Sequence, residues 1–289
     1  MARTAILLSI LFLLPCHRLL AVENATNSTY NETAPTAGNI TNWLTGWQQP
    51  AVQPTGYTTT TGWNYVGLLG QESGVYLGNG WVITCAHVGA GNFILNGTTY
   101  PPVANSTRSF YAANGTPYDI VIFQVSPAPT LPPLPLRASD PVADSSDVVI
   151  LGYGNPTSVE SWGYDRVSVV NQSVPLNSIW TTNDFETVNN STSDKYELIS
   201  NDSGGGDFIY NSTTSQWELA GLNEAELTDG ANGPEVGSAF IQLNTYAAQI
   251  EAIVSPPPLD EPTMPPWALV LLGGLLCVAA IPAVVPRRE

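Results

Sequence analysis

Between residues 62 and 240 the chain is built from short apolar runs cut by Gly, Asn and Pro. Val75–Leu77, Trp81–Thr84, Phe93–Leu95 and Ile120–Val125 carry β-type side chains bounded by turn formers, which predicts strands. A stretch with Pro127, Pro129, Pro132, Pro133, Pro135 and Pro141 follows. Each proline removes a backbone donor, so neither a long strand nor a helix is expected there. Strand signals resume at Val148–Leu151, Val167–Val170, Phe208–Tyr210 and Trp217–Leu222. The pattern predicts an all-β core of two small antiparallel barrels, about 61–126 and 147–240, joined by a proline-rich linker. The period then changes. Phe240, Leu243, Ala247, Ile250 and Val254 recur every three to four residues, the spacing of an amphipathic helix.

The two ends follow other patterns. Arg3 precedes an apolar run from Ala5 to Pro15, and Leu19-Leu20-Ala21 offers a small-residue cleavage site, the layout of a secretory signal peptide over 1–21. Residues 22–60 are rich in Asn, Thr, Gly and Pro with few large aliphatic side chains, which predicts a disordered leader. A proline-rich spacer at 257–266 leads to an uncharged run from Trp267 to Val285 and a basic tail at 286–289. Such a run spans ~28 Å as a helix, close to the hydrocarbon thickness of a bilayer. A single C-terminal transmembrane helix is expected, with Arg287 and Arg288 on the cytoplasmic side. The segment from Glu261 through Gly274 also resembles the bacterial C-terminal sorting tails read by exosortases, which implies an exosortase-type enzyme as a partner. The protein is therefore expected to be exported and held at the cell surface, with release as a further outcome.

Charge narrows the function classes. The chain has 8 Lys plus Arg against 24 Asp plus Glu, a formal net charge of -16. Between residues 22 and 263 the cations are only Arg108, Arg137, Arg166 and Lys195. So acidic a surface repels phosphate backbones, and no nucleic-acid partner is expected. The same stretch keeps one histidine, His87, and one cysteine, Cys85, which excludes a zinc finger, a zincin site and a disulfide framework. No metal and no cofactor are expected.

Three short segments carry candidate chemistry. His87 lies in G-N-G-W-V-I-T-C-A-H-V, where a β-run ends at Thr84 and a turn follows. Asp119 heads the apolar strand of P-Y-D-I-V-I-F-Q-V. A partly buried carboxylate needs a partner, and with so few cations an imidazole N–H is a natural one. Ser203 stands before Gly204, Gly205 and Gly206 in S-N-D-S-G-G-G-D-F-I-Y. A serine attacks a carbonyl only if a base takes its proton and donors meet the oxyanion, and a Gly-rich turn can supply such donors.

In this order the three segments resemble the trypsin-like, chymotrypsin-fold serine endopeptidases, whose hallmarks are T-A-A-H, D-I-A-L and G-D-S-G-G. The likeness takes in Val148–Gly154, Trp217–Leu222 and the closing helix, and defines a peptidase domain over about 61–256. It implies two six-stranded antiparallel barrels, a monomer, and a protein or peptide substrate. His87 would be the general base, Asp119 its orienting partner and Ser203 the acylated nucleophile, with the N–H groups of Asn201 and Ser203 as oxyanion donors. Glu197 lies six residues before Ser203, where trypsin places the acid of its specificity pocket, and Glu224 and Glu226 follow on another wall. The resemblance thus implies a preference for Lys or Arg on the acyl side. Cys85 and Val88 replace the family's flanking Ala and Cys, so the disulfide that clamps the histidine loop is missing and Cys85 is expected to be a small buried hydrophobe. No basic activation site precedes the domain, so Asp202 is expected to lack a freed N-terminal amine and the enzyme to be constitutively competent. The alternative function is an inactive surface-binding module of the same fold.

Overall fold

The computed structural model describes residues 22–24, 32–35, 62–154, 159–188, 196–228 and 235–255. The expected signal peptide, transmembrane helix, sorting motif and basic tail lie outside the described residues. No described helix is long and apolar enough to cross a membrane.

Seven strands form the first sheet: β2 (Val66–Leu69), β3 (Glu72–Gly78), β4 (Trp81–Thr84), β5 (Phe93–Leu95), β6 (Thr98–Tyr100), β7 (Arg108–Tyr111) and β8 (Pro117–Gln124). Their order is β6-β5-β2-β3-β4-β8-β7. The ladder is open, which corrects the closed six-stranded barrel expected for this half. It nevertheless curls on itself. The chain leaving β6 reaches the end of β8, where Val103 N–H donates to Gln124 O at 2.7 Å and Ser126 N–H to Pro101 O at 3.1 Å. β7 is then an added strand on the outer edge of β8.

The second half is a closed six-stranded antiparallel barrel, as expected. It consists of β9 (Asp147–Gly152), β10 (Ser161–Leu176), β11 (Trp180–Val188), β13 (Gly206–Asn211), β14 (Gln216–Thr228) and β15 (Glu235–Gln242), in the order β10-β11-β15-β14-β13-β9. Val148 through Leu151 are fully buried, which is why this strand reads as a continuous apolar run. The proline-rich linker packs between the halves by single backbone bonds: Leu134 N–H to Leu77 O at 3.0 Å, and Arg137 N–H to Leu219 O at 2.9 Å.

Two expectations are corrected. Phe240 belongs to β15 and Leu243 to a 3-10 turn, so the closing helix, α1, is only Ala247–Val254. The leader is also not disordered throughout. β1 (Glu23–Asn24) pairs antiparallel with β12 (Tyr196–Glu197), and Thr33 O accepts the Trp162 indole N–H at 2.7 Å.

Candidate active site

His87 turns off the end of β4, in a loop closed by the N–H groups of Val88 and Gly89 on Cys85 O. β4 pairs with β8 in a register that sets Thr84 opposite Val121, which brings Asp119 to the same end of the sheet. Asp119 is fully buried. Its Oδ1 accepts the His87 backbone N–H at 2.8 Å, and its Oδ2 lies 2.5 Å from His87 Nδ1. Both oxygens are thus partnered, as burial of a carboxylate requires. Burial works to lower the His87 pKa, but the hydrogen bond and charge of Asp119, with Glu72 and Glu224 beyond it, raise it above 6.5.

Ser203 comes from the second barrel. Its turn is held by Gly204 N–H on Asn223 O at 2.9 Å and by Asn223 N–H on Gly205 O at 3.0 Å. Ser203 O accepts the Ser73 N–H at 2.9 Å, which docks the turn on β3. Gly204 has φ +77°, and a Cβ there would collide with Thr84 Oγ1 and the Ser73 carbonyl. Only glycine lets the residue after Ser203 sit against the strand end that carries the histidine loop. His87 and Asp119 are therefore joined directly, and Ser203 reaches the neighbouring strand ends through its backbone. Among the described residues no hydrogen bond joins the Ser203 hydroxyl to His87. Such bonds are commonly loose before substrate binds.

Asn201 has φ +76°, so this asparagine takes the left-handed backbone that the position needs. Its N–H and that of Ser203 have no backbone acceptor among the described residues, and both residues line a cavity of about 180 Å³. Asp202 points the other way and is buried. It accepts the N–H groups of Val22 at 2.9 Å, Ile199 at 3.0 Å and Gly154 at 3.0 Å. Burial pushes its pKa up to about 7 against the pull of those three donors. One of those donors, the amide nitrogen of Val22, belongs to the residue that follows the expected cleavage site.

The cavity beside Ser203 is lined by Leu198, Ile199, Glu224, Ala225 and Glu226 as well as by the turn. Glu197 is not among its lining residues. Its backbone pairs with Glu23 and it is buried, so the structure brings Glu224 and Glu226, but not Glu197, to this cavity. Glu224 accepts the Thr182 hydroxyl at 2.6 Å and lies beside Asp184. As carboxylates neither acid can donate to the other, which leaves both Asp184 oxygens and Glu224 Oε2 without a donor. Burial raises both pKa values; Glu224 raises that of Asp184 further, whereas the hydrogen bonds of Asp184 and Thr182 pull that of Glu224 down, so a proton held on Asp184 and donated to Glu224 removes the mismatch. Thr182 and Asp184 escaped the sequence reading, although their alternation in W-T-T-N-D is a strand signal.

Cys85 is a free, fully buried thiol that donates to Asn223 O at 3.1 Å, and burial holds its pKa well above the ordinary value. Ligand atoms of Cys85, His87 and Asp119 lie within 4.8 Å of one another. The thiol is protonated and committed to Asn223, and the imidazole Nδ1 to Asp119, which suits these atoms to proton handling better than to a metal ion.

Residues 72–210 match the family described as trypsin-like peptidase domain. Among solved structures, the chain is similar to the HtrA-type protease AlgW with decapeptide, at 17% identity and TM-score 0.46 over 64% of this chain and 52% of that one. It thus spans about half the length of that protein. It is also similar to the Rv3671c protease from M. tuberculosis in its active form, at 21% identity and TM-score 0.45 over 65% of this chain and 76% of that one. No curated protein matches the chain.

Proposed function

From the trypsin-like peptidase domain that the chain carries over residues 72–210, we propose an exported serine endopeptidase that cleaves peptide bonds through an acyl-enzyme. His87 Nε2 takes the Ser203 hydroxyl proton as Oγ attacks the carbonyl carbon. The oxyanion is met by the N–H groups of Asn201 and Ser203. Asp119 steadies the imidazolium, which then protonates the leaving amine; water, activated by His87, releases the acid. The observation that carries the proposal is the 2.5 Å contact of His87 Nδ1 with buried Asp119, beside the glycine-docked turn of Ser203.

Cleavage after Ala21 completes the same site. It would turn the Val22 N–H into an ammonium next to Asp202, supplying a cation to a carboxylate that has only neutral donors. Glu224 and Glu226, on the cavity wall, support a preference for Lys or Arg on the acyl side. The apolar run from Trp267 to Val285 supports anchoring in the membrane, with an exosortase-type enzyme as the partner that reads the tail.

Labelling of the purified protein with a fluorophosphonate probe tests the activity. Modification of Ser203, lost in Ser203→Ala and in His87→Ala, is expected. A folded protein that takes no label and hydrolyses no casein would instead be an inactive binding module of this fold.

A further inference from the structure

β11 and β14 both pair with β15, and each brings one buried acid to the same place. Side chains alternate along β11, so Trp180, Thr182 and Asp184 share one face. Trp180, at the outer end, sets its ring centroid 6.2 Å from that of His87, and Thr182 and Asp184 follow it into the interior. In β14 the register shifts between Asn223, opposite Phe240, and Ala225, opposite Ala239, which makes Glu224 the extra residue of a bulge. A bulge re-aims a side chain. Asn223 and Glu224 are accordingly both buried although they are neighbours in a strand, and Glu224 meets Thr182 and Asp184. The cluster reaches the first sheet. The charges of Asp119 and His87 act on Glu224, those of Asp119, Glu72 and Glu224 act on His87, and the Cys85 thiol feels Asp119, Glu224 and Asp184 together. Glu186 on β11 and the Tyr246 phenol also face the pair.

On the peptidase reading above, we propose that Asp184 is a positioning residue of the reaction: it carries a proton at neutral pH, donates it to Glu224, and so holds a second carboxylate within reach of His87 to steady the imidazolium. The Thr182 hydroxyl already donates to Glu224 Oε1, and the Asp184 proton supplies the donor that Oε2 lacks. Without that proton, three buried acceptor oxygens would share one site with no donor among them. Burial, with Glu224 beside it, keeps Asp184 protonated far above the ordinary carboxyl range, whereas the hydrogen bonds from Asp184 and Thr182 pull Glu224 back towards ionisation. The imidazolium exists only after Ser203 has given up its proton. An anion fixed in the barrel therefore stabilises the acylation transition state more than the resting enzyme.

The test is the pH profile of kcat/KM on a peptide with an uncharged acyl residue, so that any preference for Arg stays out of the measurement. In Asp184→Leu, Glu224 loses its donor and with it its charge. The half-point is expected to fall by about half a pH unit, and the plateau by about tenfold. Asp184→Asn keeps an N–H donor in place and should retain the wild-type half-point. A purely structural role would lower turnover in both variants and leave the half-point unmoved. Infrared spectra at neutral pH read the proton directly: the carbonyl stretch of protonated carboxyls should be weaker in Asp184→Asn than in the wild type. If Asp184→Leu does not fold, Glu224→Gln takes its place, with the same fall in half-point expected. An unmoved half-point in Asp184→Leu or its replacement, a shifted one in Asp184→Asn, or an undiminished infrared band overturns the role of Asp184 and leaves the peptidase standing. A folded protein without fluorophosphonate labelling removes the peptidase and this role together, whatever the infrared band.

Discussion

Val22 and Asp202 stand 180 positions apart in the chain, and the Val22 backbone N–H donates to Asp202 Oδ2 at 2.9 Å in a fully buried site. Asp202 lies between the two residues whose N–H groups line the cavity, so its anchor fixes their backbone. While Val22 is an amide, burial holds the Asp202 pKa at about 7, against an ordinary 3.8. A carboxyl with a raised folded pKa stabilises the fold below the unfolded value and loses that contribution as pH rises through the folded one. The unprocessed chain should therefore weaken between about pH 4 and 7. A free ammonium at Val22 reverses this by favouring the carboxylate. At pH 7.5, protein beginning at Val22 is expected to melt about 3 °C or more above the same protein with a Met-Ala extension before Val22. Equal melting temperatures and equal labelling of Ser203 in both forms would sink the idea.

Replacing His87 with alanine should lower acylation by a factor on the order of 10⁴ or more, since the site has no other base for the hydroxyl proton. For the wild type, kcat/KM should rise with pH as the imidazole deprotonates. The half-point is expected above 6.5, because Asp119 and its neighbours outweigh the desolvation of His87. A profile flat from about pH 5 to 8 contradicts this assignment.

Specificity for Lys or Arg should follow Glu224. The mutation Glu224→Gln is expected to reduce the preference for Arg over Leu at the acyl position by about 10- to 150-fold, the range of a charge-assisted hydrogen bond. Glu197→Gln should leave it unchanged. Because burial raises the Glu224 pKa, the preference should also strengthen as pH rises and the carboxylate forms. Peptide panels at two pH values measure both effects, and an unaltered Arg preference in Glu224→Gln rules this acid out.

The docking of the Ser203 turn has a stability consequence. Gly204→Ala places a methyl group against Thr84 Oγ1 and the Ser73 carbonyl at φ +77°, and should destabilise the protein by about 2–4 kcal/mol. Denaturant unfolding followed by tryptophan fluorescence gives the number. A loss within experimental error would mean that the turn does not pack on β4 in solution.

What the sequence determined by itself is whatever rests on local pattern. Val148–Leu151 and Trp81–Thr84 were legible as strands because both faces are buried and the run is continuously apolar. His87, Asp119 and Ser203 stood out because their neighbours are distinctive, and a lone carboxylate among so few cations calls for an imidazole. Strands β2, β6, β7, β11 and β15 and much of β10 escaped: β6, β7 and the outer part of β10 carry exposed polar residues such as Thr98, Arg108 and Asn171 with no apolar period to read, β2 is a four-residue apolar run with a glycine in it, and the apolar end of β15 runs into the helical spacing that follows. Pairing across the chain was decided by tertiary structure alone. The choice of Glu224 over Glu197 for the cavity, the meeting of Val22 with Asp202 and the approach of Trp180 to His87 all depend on barrel closure and strand register. Separation along the chain has no fixed relation to distance once strands pair, so no spacing in the sequence could have supplied them.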